Sequence, residues 1–172
     1  MSSRGGWFGF VVGLTLLVLS ATGASAMSPR YFLIGHAKVV DVESPNLLSV
    51  KMEGEDRAVA IRLLGVGSPR NRNRIRALKP EIAHYIQKND VWEQARQYVW
   101  SLLDGKVVEI WCRRYDRLDE KNRLLAYVMI PTRSRKPLDV NAEIIKRGLG
   151  FVTRDYVHVT FTGYKILEEE AR

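Results

Sequence analysis

Residues 57–70 read RAVAIRLLGVGSPR, a strand-like run that ends in a turn, and the rest of the chain is organised around it. Ala58, Ala60, Arg62 and Leu64 alternate with Val59, Ile61, Leu63 and Val66, the pattern of a strand buried on one face and partly on the other. Arg62 breaks that pattern. A guanidinium in an apolar strand is costly to bury alone, so it must reach a carboxylate or point into a site that receives an anion. Gly65, Gly67, Ser68 and Pro69 then end the strand.

Working outward, residues 31–42 and 47–52 are rich in β-branched and aromatic side chains and read as strands, with Glu43, Ser44, Pro45 and Asn46 as the loop between them. A turn at 53–56 leads back into the Arg62 strand, so the first three strands are expected to form an antiparallel meander. Residues 106–114 and 123–130 supply two more strands across a polar turn. The clearest helix starts at Asp90, an N-cap with Glu93 three residues on. Val91, Ala95, Tyr98, Val99, Leu102 and Leu103 share its apolar face, and Gly105 ends it. A shorter helix is expected from Pro80, with Ile82, Tyr85 and Ile86 on one side, and further helices at 139–148 and 162–172. Five strands with a helix inserted after the third suit a small closed barrel.

The chain has 172 residues, 46% of them hydrophobic, enough for one domain with a proper core. Its first 26 residues hold one charge, Arg4, then an apolar run at 7–19 and the small residues Ala24, Ser25 and Ala26, the pattern of a cleaved secretory signal. The alternative is an uncleaved anchor, for which an apolar run of this length falls short of the roughly 20 residues that span a bilayer. The expected mature domain is 27–172, exported to a periplasmic or extracellular space, without a membrane span. It carries 26 basic and 19 acidic residues, a net of +7. Cys112 is the only cysteine, so no intrachain disulfide forms, and its apolar neighbours mark it as a small buried hydrophobe. His36, His84 and His158 are too scattered for metal spacing. Residues 69–79, PRNRNRIRALK, form the one charge-biased stretch.

The run RLLGVGSPR at 62–70 resembles the RLLGIDTPE pattern of the staphylococcal-nuclease-like (thermonuclease) family. Residues 123–128, RLLAYV, are similar to that family's arginine followed by LLAYV, and Val140-Asn141 with Gly148-Leu149 are similar to its VN and GLA positions. Residues 164–172 look like its closing helix, so the resemblance spans 37–172. It implies a mixed β/α fold, a five-stranded OB-fold barrel with three to four helices.

Members of that family that cleave nucleic acid hold calcium with carboxylates from two loops, place water with a glutamate after the proline, and set two arginines on the phosphate. The arginines match Arg62 and Arg123, which the resemblance makes a phosphate clamp; the alternative is structural pairing with Asp41, Glu43 or Asp119. The carboxylates do not match. Gly67 stands at the aspartate position and Arg70 at the glutamate position. The family's Asp-Gly-Asp-Thr fits either 41–44 or 44–47. The second register is preferred because the first places Pro45 inside a strand, and it makes Asn46 the metal-ligand position, with Asp41 and Glu43 as weak substitutes. Tyr156 matches an aromatic that can flank a base, although core packing is the commoner role for such a ring.

The expectation is an exported OB-fold monomer that binds nucleic acid or another polyanion through Arg62, Arg123, Arg70, Arg72 and Arg74, without a cofactor and without efficient hydrolysis. One alternative is a secreted calcium-dependent nuclease with its metal site moved to Asp41 and Glu43. Another is a structural or protein-interaction module whose basic surface is incidental. On the first reading, aspartates at 46 and 67 with glutamate at 70 restore calcium-dependent cleavage.

Overall fold

The computed structural model describes residues 30–70, 75–76, 79–134, 136–156 and 160–171. The expected signal at 1–26 and the start of the mature chain at Met27 lie outside the described residues, as do Arg72, Arg74 and His158.

In chain order the elements are β1 (Tyr31–Ser44), β2 (Leu47–Met52), β3 (Ala58–Leu63), β4 (Val66–Gly67), α1 (Pro80–Lys88), α2 (Val91–Leu103), β5 (Val107–Arg113), β6 (Leu124–Ile130), β7 (Leu138–Asp139), α3 (Val140–Lys146), β8 (Phe151–Val152) and α4 (Phe161–Glu170). The main sheet runs β3-β2-β1-β5-β6-β7, and β3 also pairs with β6. That last pairing is parallel and closes β1, β2, β3, β6 and β5 into a ring, the arrangement expected of an OB-like barrel. The meander is present, with β2 antiparallel to both β1 and β3.

β1 is long because it serves two partners: its first half pairs with β5 and its second with β2. Register shifts at Leu33/Gly35, Val39/Asp41 and Val42/Ser44 bend it around the ring, as bulges do. The strand runs two residues further than expected, to Ser44, and leaves only Pro45 and Asn46 for the turn. The core that fills the ring includes Val42, Leu48, Val50, Ile61, Leu63, Ile110 and Leu125, each no more than 1% exposed.

α2 docks its Val91, Ala95, Val99 and Leu103 face on the barrel, as its periodicity foretells. The Asp90 side chain accepts from the Glu93 N–H while the Glu93 carboxylate is taken by Arg96 and Gln97. α1 begins at Pro80 as expected, but Tyr85, expected on its apolar side, is 62% exposed. Cys112 is fully buried, and burial pushes its thiol up to about 12, which makes it inert at neutral pH. Among the described residues no helix is long and apolar enough to cross a membrane.

Candidate nucleic-acid interface

β3 delivers Arg62 and β6 begins one residue after Arg123. In the parallel pairing Arg62 lies opposite Leu125, two residues beyond Arg123, so the ring closure itself brings the two arginines to one place. A buried asparagine secures that closure. Asn141, at the start of α3, donates from Nδ2 to the carbonyls of Leu64 (2.9 Å) and Ala126 (3.2 Å), and its Oδ1 accepts from the Val128 N–H at 3.1 Å. One side chain thereby fastens the exit of β3 to the middle of β6.

Both arginines meet carboxylates. Arg123 donates from Nε to Asp119 Oδ2 at 2.6 Å and its Nη2 lies 2.5 Å from the same oxygen. The Asp119 side chain has no exposed surface, and its Oδ1 also accepts from the backbone N–H groups of Lys121 and Arg123. Burial pushes this carboxyl up, but the bonds from the Arg123 side chain and from the two backbone N–H groups outweigh it and hold it below the ordinary aspartate range. Arg62 Nη2 lies 3.1 Å from Asp155 Oδ2. Its guanidinium carbon also stands 5.4 Å from the centre of the Tyr156 ring, whose hydroxyl donates to Glu120 at 2.7 Å. Burial, then the Glu120 carboxylate, pushes that phenol up to about 12. A guanidinium carries five N–H donors, and the carboxylate contacts account for only part of each fork. The arrangement can therefore pair with an acid and still present donors to a phosphate.

The structure sets Arg62 against the Tyr156 ring and, through the β3–β6 pairing, on the strand beside the one that follows Arg123. Of the three acids weighed as partners, only Asp119 pairs with an arginine of the clamp. Asp155 and Glu120 were missed, since nothing local marks them: the fold carries them in from 93 and 36 residues away. Asp119 carried a readable signal in its four-residue spacing to Arg123 across a turn.

The metal positions are arranged differently from a calcium site. Asn46, 7% exposed, donates from Nδ2 to the Val66 carbonyl at 2.9 Å and accepts from the Ser44 hydroxyl at 2.9 Å. It acts as a structural tie between the β1–β2 turn and β4. The Asp41 carboxylate accepts from the Val42 N–H, and Glu43 accepts from the Ser49 hydroxyl. No group of three or more His, Cys, Asp or Glu side chains converges among the described residues. Arg70 stacks over the Trp92 ring with 3.8 Å to its centre, and its charge adds to the bonds from Arg96 and Gln97 that hold Glu93 below the ordinary glutamate range. The residues present do not fit calcium, which takes 6 to 8 oxygen ligands with carboxylates prominent among them.

The model of the family described as staphylococcal nuclease homologue matches residues 60–172. The chain belongs to the staphylococcal nuclease family. The match runs from within β3 to the end of the chain, and so includes both arginines. No curated protein matches the chain.

Proposed function

We propose that this protein is an exported member of the staphylococcal nuclease family that binds nucleic acid or a similar polyanion and has lost efficient hydrolysis. The observation that carries the reading is the contrast within one site. Arg62 on β3 and Arg123 immediately before β6 flank the β3–β6 pairing, while the positions that would hold metal and water carry Asn46, bonded at both polar ends, Gly67, and Arg70 on Trp92. An arginine stabilises negative charge but stays protonated near neutral pH, so Arg70 does not accept a proton from water. Removing a water-activating group typically costs about 10² to 10⁴ in rate. The net charge of +7 on the expected mature chain and the small residues at Ala24 to Ala26 support, respectively, the anionic ligand and the export.

The test is fluorescence anisotropy with labelled single-stranded DNA across a salt series. Binding should weaken steeply with salt. Replacing Arg72, Arg74 and Arg76 together by Ser should flatten the log–log slope by about 2, at roughly 0.7 per phosphate contact. Salt-independent binding, or none, points to a protein-interaction role. Calcium-dependent cleavage at the rate of an active nuclease removes the claim of lost hydrolysis.

A further inference from the structure

We propose that Phe151 closes the position where the family's calcium-binding aspartate would stand, so that restoring the acids alone does not restore a metal site. β4 and β8 form a two-stranded antiparallel pair with Gly67 directly opposite Phe151. The Phe151 ring folds across its own cross-strand partner. A Cβ built on Gly67 would stand 2.3 Å from Phe151 Cε2, 2.6 Å from Cδ2 and 3.1 Å from Cζ. Carbon atoms in contact prefer about 3.5 to 4.0 Å, so any side chain at 67 collides with the ring.

The backbone that carries the ring is held in place. The neighbouring Gly150 is close-packed too, though less tightly: a Cβ there would meet Ile144 Cγ2 at 3.0 Å, Val66 Cγ1 at 3.1 Å and the Gly67 carbonyl oxygen at 3.2 Å. β8 is pinned from behind by the Glu168 carboxylate, which accepts from the Val152 N–H at 3.0 Å, and by the Thr153 N–H, which donates to the Gly65 carbonyl. On the other side of β4, the Val66 carbonyl already accepts from Asn46. Aromatic cover of a strand glycine restores packing that the missing side chain would supply. The Gly67 position is thus part of a packed seam that leaves no room for a carboxylate beside the ring as it stands.

The inference rests on the family membership and on the match of Gly67 to the aspartate position. It is tested without nucleic acid, so its failure is separate from that of the binding function. The first experiment is a double-mutant cycle in the thermal melt of the mature chain. Gly67→Ala should lower Tm by roughly 5 to 10 °C through overpacking, whereas in a Phe151→Ala background the same change should cost a small part of that. Additive losses would overturn the closure. The second measures Tm with and without 10 mM calcium chloride. Asn46→Asp, Gly67→Asp and Arg70→Glu combined should show no calcium-dependent rise, and adding Phe151→Ala should produce one. A calcium-dependent rise with Phe151 intact overturns the proposal, as does a folded fourfold variant that calcium leaves unmoved. Should the fourfold variant fail to fold, the alanine cycle decides alone.

Discussion

If Arg62 and Arg123 clamp a phosphate as proposed, Asp155 is the residue on which the strength of that clamp turns. Its carboxylate lies 3.1 Å from Arg62 and is half exposed, so it occupies the edge of the guanidinium that a phosphate oxygen would seek. Exposed pairs of this kind are worth about 0.2 to 1 kcal/mol. Asp155→Asn should therefore raise affinity for single-stranded DNA by up to about fivefold in dilute buffer, and by less as salt screens the difference. Arg62→Ala should weaken it. Anisotropy titrations of the three proteins at two salt concentrations check this, and an unchanged affinity for the asparagine variant would put the ligand on another face. Arg123 is the more structural of the two arginines: its Asp119 partner is buried and held by backbone N–H groups as well, so removing the arginine leaves a buried charge short of its main donor.

At the scale of elements, the site depends on the join between β3 and β6, and that join depends on Asn141. Asn141→Ala removes three buried hydrogen bonds and leaves the Leu64 and Ala126 carbonyls and the Val128 N–H to other partners or none. The expected cost is about 3 kcal/mol, with a parallel fall in DNA affinity, both read from urea unfolding and anisotropy on the same variant. A loss of stability without a loss of affinity would show that the arginines are positioned independently of this tie. The larger elements were legible in the sequence because their periods are long enough to register. β2 is found at the expected residues, and α2 begins after Asp90 with the expected buried face. β4 and β8 were not legible. Each has two residues, too few for an alternation, and their pairing joins segments 84 residues apart. For the same reason Phe151 carried no signal, although Gly67 did: a glycine at an expected acid position was readable, and the ring that fills the space was not. Asn46 lies with Pro45 in the β1–β2 turn, consistent with the rule that keeps Pro45 out of a strand interior, but its role as a tie to Val66 needed the fold.

For the whole molecule, the ionisable groups set an acid limit on stability, and its sign follows from the directions of their shifts. Asp119 is held below its ordinary range by Arg123 and the backbone donors against the opposing effect of burial, and Glu143 is held low foremost by its bond from Arg147. A carboxyl lowered on folding contributes stability that is fully present above its unfolded value, and that is lost as pH falls through the folded one. Asp139 runs the other way. Burial raises it although it caps α3 through Ala142 and accepts from Tyr164, so its charge is a cost near neutrality that protonation relieves in acid. Glu93 and Glu120 are lowered as well, foremost by bonds from Arg96 and Tyr156, so these lowered acids outnumber Asp139, and the urea midpoint should hold steady from pH 7 to about 5 and fall below about pH 4. Asp119→Asn separates the contribution of the clamp. The variant keeps an oxygen for the backbone donors but loses the charge facing Arg123, so it should be less stable than the parent at pH 7, and the two curves should converge as pH approaches 3. Curves that stay parallel across that range would mean that Asp119 keeps an ordinary carboxyl in the folded protein, and that Arg123 is held by something other than its charge.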